Sequence, residues 1–456
     1  PRTYDLMRWD QWRLFTNSAW NAQNTLANGA KVVFTPTDCE KNKISITLSK
    51  DGGQSLLTQE ELPSFENNVW TLFQQNCGVA GYSGTTLLKI LAGKTVSCTA
   101  GLSDIKHHID VSTTPADLET GLQLLYLNFT QPRFDAEEYN QGVKQLQALL
   151  PNLASNPDFV MSMAFNKYLY GENPRQIEPN AENLAKVDVK VAEAAYKRLF
   201  KDAAGAIVYV TGDFKTEDIK DLVVKYVGSL PKGRKAQAFV DRKMDFVDGV
   251  VEKEIHTPMQ GSAVTVYQVY KTPAAYDYKT LVAYEAASYI LDMIYTDTMR
   301  EEEGGTYGAS TQASIRRRPT SYGYLLVGFA TNKDMQPKLC ELARKGIEQL
   351  AAEGPTDEQY TRTVNNFAKN LPESRVRLNH WVLTASSYET FGEDYDALYE
   401  EAVKSLTPEA IKDAAASFLA SGNFFQLIQS VLCLITVFLR IHKGLLIHRL
   451  NIVNSG

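Results

Sequence analysis

The stretch M-R-E-E-E-G-G-T-Y-G-A-S, residues 299 to 310, decides how the rest of the chain reads. Arg300 ends an apolar, helix-like run from Ala287 to Met299. Three acids follow, Glu301 to Glu303, then Gly304 and Gly305, then Tyr307 and Gly308. Glycines in that place end a helix and let the backbone approach a partner closely. The turn is expected to hold a guanidinium and a phenol near each other. Arg presents a fork of permanently charged donors, and Tyr one directed O–H. Two such donors on one carbonyl oxygen stabilise a developing oxyanion. The bland alternative is a helix C-cap, with Arg300 paired to Glu301–Glu303 and Tyr307 in a core.

Outward from that stretch, composition sets the class. The chain has 456 residues, a length that suggests two to three domains. It is 44% hydrophobic and 22% charged, as in a soluble globular protein. Net charge is −6, which argues against a nucleic-acid partner. The only dense basic run, Arg316-Arg317-Arg318, precedes Pro319 and reads as a solvated hairpin tip. The five cysteines are too scattered for a C-x-x-C motif, and their odd number argues against a disulfide framework. None of the six histidines starts an H-x-x-E-H or H-x-x-x-H pattern, so no helical zinc pair is expected. His107 and His108 read as ordinary strand residues.

The chain also repeats itself. One block runs from His107 to Tyr139: strand, Thr114-x-x-Asp117, helix, Pro132, acidic helix start. Gly323 to Tyr360 runs strand, Thr331-x-x-Asp334, helix, Pro355, acidic helix start. The Thr and Asp pairs are each 217 apart, and Tyr139 and Tyr360 are 221 apart. A second block agrees: Val187-Asp188 with its Ala-rich helix matches Leu406-Thr407 with the helix that follows, 219 further on. A constant offset in one order implies two homologous α/β units of about 200 residues each. The strands alternate as in hairpins, so the class is α+β, with mixed or antiparallel sheets and helices on one face. The expected division is an arm or linker at 1–25, a first unit at 26–235 and a second at 246–430. In the first unit, the place of Arg300–Tyr307 is taken by Asn76-Cys77-Gly78-Val79-Ala80-Gly81-Tyr82, which keeps the glycines and lacks the Arg.

These residues resemble a known family. Arg300 to Gly308 is similar to the Arg/Tyr motif of pitrilysin/insulinase-type zinc metalloproteases. L-A-N-G-A-K-V-V-F-T-P-T-D at 26–38, F-T-Q-P-R-F-D at 129–135 and V-T-G-D-F at 210–214 resemble other parts of that family's C-terminal half. The likeness covers about residues 26 to 428. It implies one half of a clamshell metalloprotease. The family's N-terminal half binds zinc through H-x-x-E-H and a distant Glu, and its C-terminal half supplies the Arg and Tyr to the substrate backbone.

The resemblance therefore implies the substrate-binding half of a zinc-dependent metalloendopeptidase. Arg300 and Tyr307, with Gly304 and Gly305, would contact a peptide. No residue of this chain matches a catalytic zinc-water group or a metal ligand, so the chain alone is expected to bind no zinc and cleave no peptide. Zinc is expected in a partner N-terminal half, in the same polypeptide or a homologous subunit. The alternative is a non-catalytic scaffold or binding subunit of the same fold. No membrane span is expected, and the family implies an extracytoplasmic, periplasmic location. The chain begins at Pro1 with no Met or signal peptide, which reads as a processed product or fragment. The family pattern fails near the end: no Asp or Glu lies between Ala414 and Gly456, although the chain has 53. Residues 431–456 therefore read as an atypical tail outside the fold.

Overall fold

Ile44, Ile46 and Leu48 are fully buried, and Ser45, Thr47 and Ser49, which alternate with them, are not. That period-two pattern makes a strand with one core face and one polar face. The computed structural model describes residues 25–258 and 263–431. Apart from Thr25 and Val431, the expected arm and tail lie outside the described residues.

In the first part of the chain the elements are β1 (Lys31–Pro36), β2 (Ile44–Asp51), α1 (Asn67–Cys77), α2 (Gly84–Ile90), β3 (Val96–Leu102), β4 (Lys106–Thr113), α3 (Leu118–Thr130), α4 (Ala136–Ala154), α5 (Pro157–Leu169), a short helix at Ala181–Leu184, α6 (Val189–Leu199), β5 (Ile207–Gly212) and α7 (Thr216–Gly228). The strands form a five-stranded sheet in the order β1-β5-β2-β4-β3. Only β1 and β5 run parallel. Leu118, Leu122, Leu125 and Phe129 recur along α3 at helical spacing and are buried. Each such side chain contributes roughly 2 kcal/mol when taken out of water. The sequence pattern reads a single helix over 63–75. The structure instead has a 3₁₀ turn at Leu62–Phe65 and then α1. Glu66 breaks the run because its carboxylate caps the amides of Asn68 and Val69.

The second part holds β6 (Val250–Thr257), β7 (Ala263–Thr272), α8 (Tyr278–Tyr295), a π-helical turn at Thr296–Glu302, β8 (Ala309–Arg316), β9 (Tyr322–Asn332), α9 (Gln336–Glu353), α10 (Asp357–Arg375), α11 (Leu378–Phe391), α12 (Tyr395–Lys404), α13 (Pro408–Ala420) and β10 (Asn423–Val431). The sheet order is β6-β10-β7-β9-β8, again with only the first pair parallel. Strand for strand, this is the topology of the first sheet. The class is thus α+β with two open mixed sheets, as the repeat predicts. α8 is apolar on most sides, as befits a helix buried at the centre of its unit.

Compactness follows a different partition from the two sequence halves. The first compact unit takes the chain up to Leu150, then Ile177–Lys243 and Phe367–Glu401. The second takes Pro151–Gln176, Met244–Asn366 and the chain from Ala402 onward. So α11 covers β1 and β5 of the first sheet, where Ala385 and Tyr388 pack on Val33 and Tyr209. Likewise α5 covers the second sheet, with Met161 and Leu169 against Val269, Phe425 and Leu427. A repeat pattern reports element order and carries no information about which sheet a helix covers. The tip of the β8–β9 hairpin also differs from its reading as solvated. Arg316 pairs with Asp245 at 2.9 Å and donates to the Tyr322 hydroxyl, and Arg317 lies 4.5 Å over the Tyr276 ring.

Candidate functional site

α8 does not stop where its α-helical bonding stops. The hydroxyls of Thr296 and Thr298 donate to the carbonyls of Asp292 and Ile294, four residues back, each at 2.8 Å. Such back-bonding disturbs the helical ladder, and the chain widens here into the π-helical turn Thr296–Glu302. π turns occur often where a helix must re-aim a side chain. Met299 is fully buried and pins the turn, and its neighbour Arg300 points outward with its side chain 56% exposed.

The turn closes with two backbone bonds. The amide of Gly304 donates to the Arg300 carbonyl at 3.0 Å, and that of Gly305 to the Met299 carbonyl at 3.1 Å. Both span one residue more than in a Schellman cap, which is the same cap fitted to a wider helix. Gly304 sits at φ 59°, where a side chain is disfavoured. Gly305 is needed for space: a Cβ there would lie 3.0 Å from Met335 and 3.1 Å from Leu339. Its carbonyl accepts from the Thr331 hydroxyl at 2.6 Å. Glu303 pairs with Lys338 on α9.

Downstream, Tyr307 is completely exposed. Thr306 Oγ1 donates to the Gly308 carbonyl at 2.9 Å, and β8 follows at once. The amide of Thr311 on β8 donates to an Asp292 carboxylate oxygen at 2.7 Å. Thr311 Oγ1 lies 2.7 Å from the Ser288 hydroxyl. These contacts staple the end of α8 to the start of β8. Burial raises the pKa of Asp292, and the bonds from Thr311 oppose that shift.

Arg300 and Tyr307 therefore stand on the two arms of one held turn. A ring whose whole surface is exposed rests on no other side chain, so Tyr307 is not held against Arg300. The reading of Tyr307 as a core residue is corrected by the same exposure. The Arg300 guanidinium lies 3.4 Å from Glu301, an exposed pair of the kind worth little in water. Both side chains stand at the surface of the turn. Sequence reasoning missed Asp292 and the π turn. The signal was present in T-D-T-M, where two threonines precede the expected end of the helix.

The described residues do not fit a zinc site. His107 and His108 are neighbours on β4, so their rings leave opposite faces. His107 is buried edge-on against Phe200, and burial pushes its pKa down to about 3. His256 bonds Ser430, and His380 lies between Ser374 and Asp396. Among the described residues no group of three or more His, Cys, Asp or Glu is placed to hold a metal. Nor is any described helix long and apolar enough to cross a membrane.

Residues 186–367 match the model of the peptidase M16 inactive domain. A PQQL-like zinc protease of Arabidopsis thaliana is 22% identical over 375 residues, spanning 79% of this chain and 36% of that protein. The periplasmic protease PqqL of Escherichia coli superposes with a TM-score of 0.76 at 17% identity, covering 90% of this chain and 45% of PqqL. A peptidase M16 inactive domain from Pseudomonas fluorescens gives 0.70 at 18% identity, covering 90% of this chain and 98% of that one. The chain thus spans less than half the length of the two proteases. The match over 186–367 and these likenesses point one way: the chain is similar to the M16, pitrilysin-type zinc proteases, and within them to the inactive domain.

Proposed function

We propose that this chain is the substrate-binding half of a zinc metalloendopeptidase and that Arg300 and Tyr307 donate to a backbone carbonyl of the peptide. The observation that carries this reading is the exposure of both side chains on a turn whose backbone is bonded on every side. A held turn that presents two exposed donors suits a ligand that accepts hydrogen bonds. Zinc and the base that activates water belong to the other half. This chain's own residues bind and orient the carbonyl. PqqL is a periplasmic protease, and the same setting is proposed here.

The second reading is a scaffold of the same fold that has kept the turn without using it. Turnover of the chain assembled with its zinc-bearing half separates the two. Arg300→Ala and Tyr307→Phe should each lower kcat on the order of a hundredfold, with a smaller change in KM, as for loss of one oxyanion donor. Arg300→Lys should recover only part, because an ammonium lacks the planar fork. Wild-type rates in both variants, with the fold intact, would leave the scaffold reading standing.

A further inference from the structure

Thr114 and Thr331 align in the sequence repeat, 217 apart, but Thr114 follows the last residue of β4 and Thr331 is the last residue but one of β9. Their hydroxyls do different work. Thr114 Oγ1 accepts from the Asp117 amide at 3.3 Å and caps the turn into α3. The matching task before α9 has passed to Asn332, whose side-chain oxygen accepts from the amides of Asp334 and Met335 at 3.0 Å each. Thr331, relieved of capping, donates to the carbonyl of Gly305 at 2.6 Å.

We infer that Thr331 is a positioning residue for Tyr307, acting through Gly305; this rests on the substrate-binding reading above. Tyr307 touches nothing, so its place is set by its backbone alone. Thr306 and Gly308 bond each other across it, and upstream of that pair the last fixed point is Gly305. Its amide is bonded to Met299, its Cα is seated on Met335 and Leu339, and its carbonyl is bonded to Thr331. The first two contacts fix where the residue sits. The carbonyl bond fixes the orientation of the peptide plane between Gly305 and Thr306, and with it the direction in which the chain leaves toward Tyr307. A glycine has the widest choice of such directions, so this is where one added bond restricts most.

The test uses the full chain. Thr331→Val keeps the shape and removes the donor. Amide exchange at Gly304 and Gly305, whose N–H groups are bonded to the Arg300 and Met299 carbonyls, should become roughly fivefold faster, as for loss of one neutral hydrogen bond. Thr331→Ser should restore the wild-type rate, and Thr114→Val should leave it unchanged. With the zinc-bearing half present, Thr331→Val should lower kcat more than it raises KM. Unchanged exchange in Thr331→Val would overturn the inference. So would faster exchange with unchanged turnover, if Tyr307→Phe is impaired. Should Arg300→Ala and Tyr307→Phe both turn over normally, the substrate-binding reading fails, and the exchange data alone still show whether Thr331 orders the turn.

Discussion

The turn after α1 and the turn after α8 occupy the same place in the repeat and are built to opposite ends. After α1 the chain folds in on itself. Val79 and Tyr82 exchange backbone bonds, Ala80 donates to the Gln131 carbonyl, and Arg133 donates to the carbonyl of the buried Cys77. An extra short helix, α2, is then inserted before the edge strand. A cavity of about 90 Å³ remains there, lined by Trp70, Phe73, Val79 and Leu87 among others. After α8 there is no inserted helix. The chain runs from the π turn into β8 and leaves Arg300 and Tyr307 outside. Two copies of one topology thus differ at this turn: one closes on itself, and the other leaves Arg300 and Tyr307 at the surface.

The glycines give the strongest way to break that comparison. Gly78 and Gly304 both lie at positive φ, 68° and 59°. A Cβ on Gly78 would stand 2.3 Å from the Tyr82 carbonyl oxygen and 2.8 Å from the Ser83 carbonyl carbon, and neither can move alone. On Gly304 it would meet nothing within 4 Å. Gly78→Ala should therefore combine backbone strain with a steric clash and cost about 3 kcal/mol. Gly304→Ala should cost only the strain, about 1 kcal/mol. Thermal melting of the two variants of the full chain checks the difference. Equal losses would mean that the turn after α8 is packed as tightly as its counterpart.

Much of this was legible in the sequence. Ile44-Ser45-Ile46-Thr47-Leu48 announced a one-sided strand, and the offset of 217 between Thr114 and Thr331 announced a second sheet of the same kind. The turn at Arg300–Gly308 was visible because its glycines have backbone reasons to be there, Gly304 at positive φ and Gly305 against Met335 and Leu339. The exchange of α5 and α11 between the units was not legible. A helix with apolar residues at Met161 and Leu169 needs an apolar sheet, and either sheet offers one. The different use of two threonines in matching positions was hidden for a similar reason. A hydroxyl both donates and accepts, and only the fold decides whether it meets an amide, as Thr114 does, or a carbonyl, as Thr331 does.

The finest difference between the two units lies at the sheet edge. On β3 the amide of Ala100 is taken by the side-chain oxygen of Gln74 at 2.6 Å, and its carbonyl by the indole of Trp70 at 2.7 Å. On β8 the amide of Thr311 is taken by Asp292 at 2.7 Å. Each edge strand is thus held by a side chain of the preceding long helix, through a neutral amide in one unit and a carboxylate in the other. Burial raises the pKa of Asp292, so its ionised form is disfavoured in the fold. For a carboxyl shifted upward, the stabilising contribution is full below the unfolded value near 3.9 and is lost as pH rises through the folded value. Asp292→Asn keeps an oxygen that accepts from Thr311 and removes that loss. The variant should match the wild-type chain in stability at pH 4. It should gain on it as pH rises toward 7, by less than about 1 kcal/mol, within the net worth of one hydrogen bond. Melting curves of both proteins across that range decide it. A variant that falls behind as pH rises would show that the carboxylate charge holds β8 more firmly than an amide can, and that the two edges are not built alike.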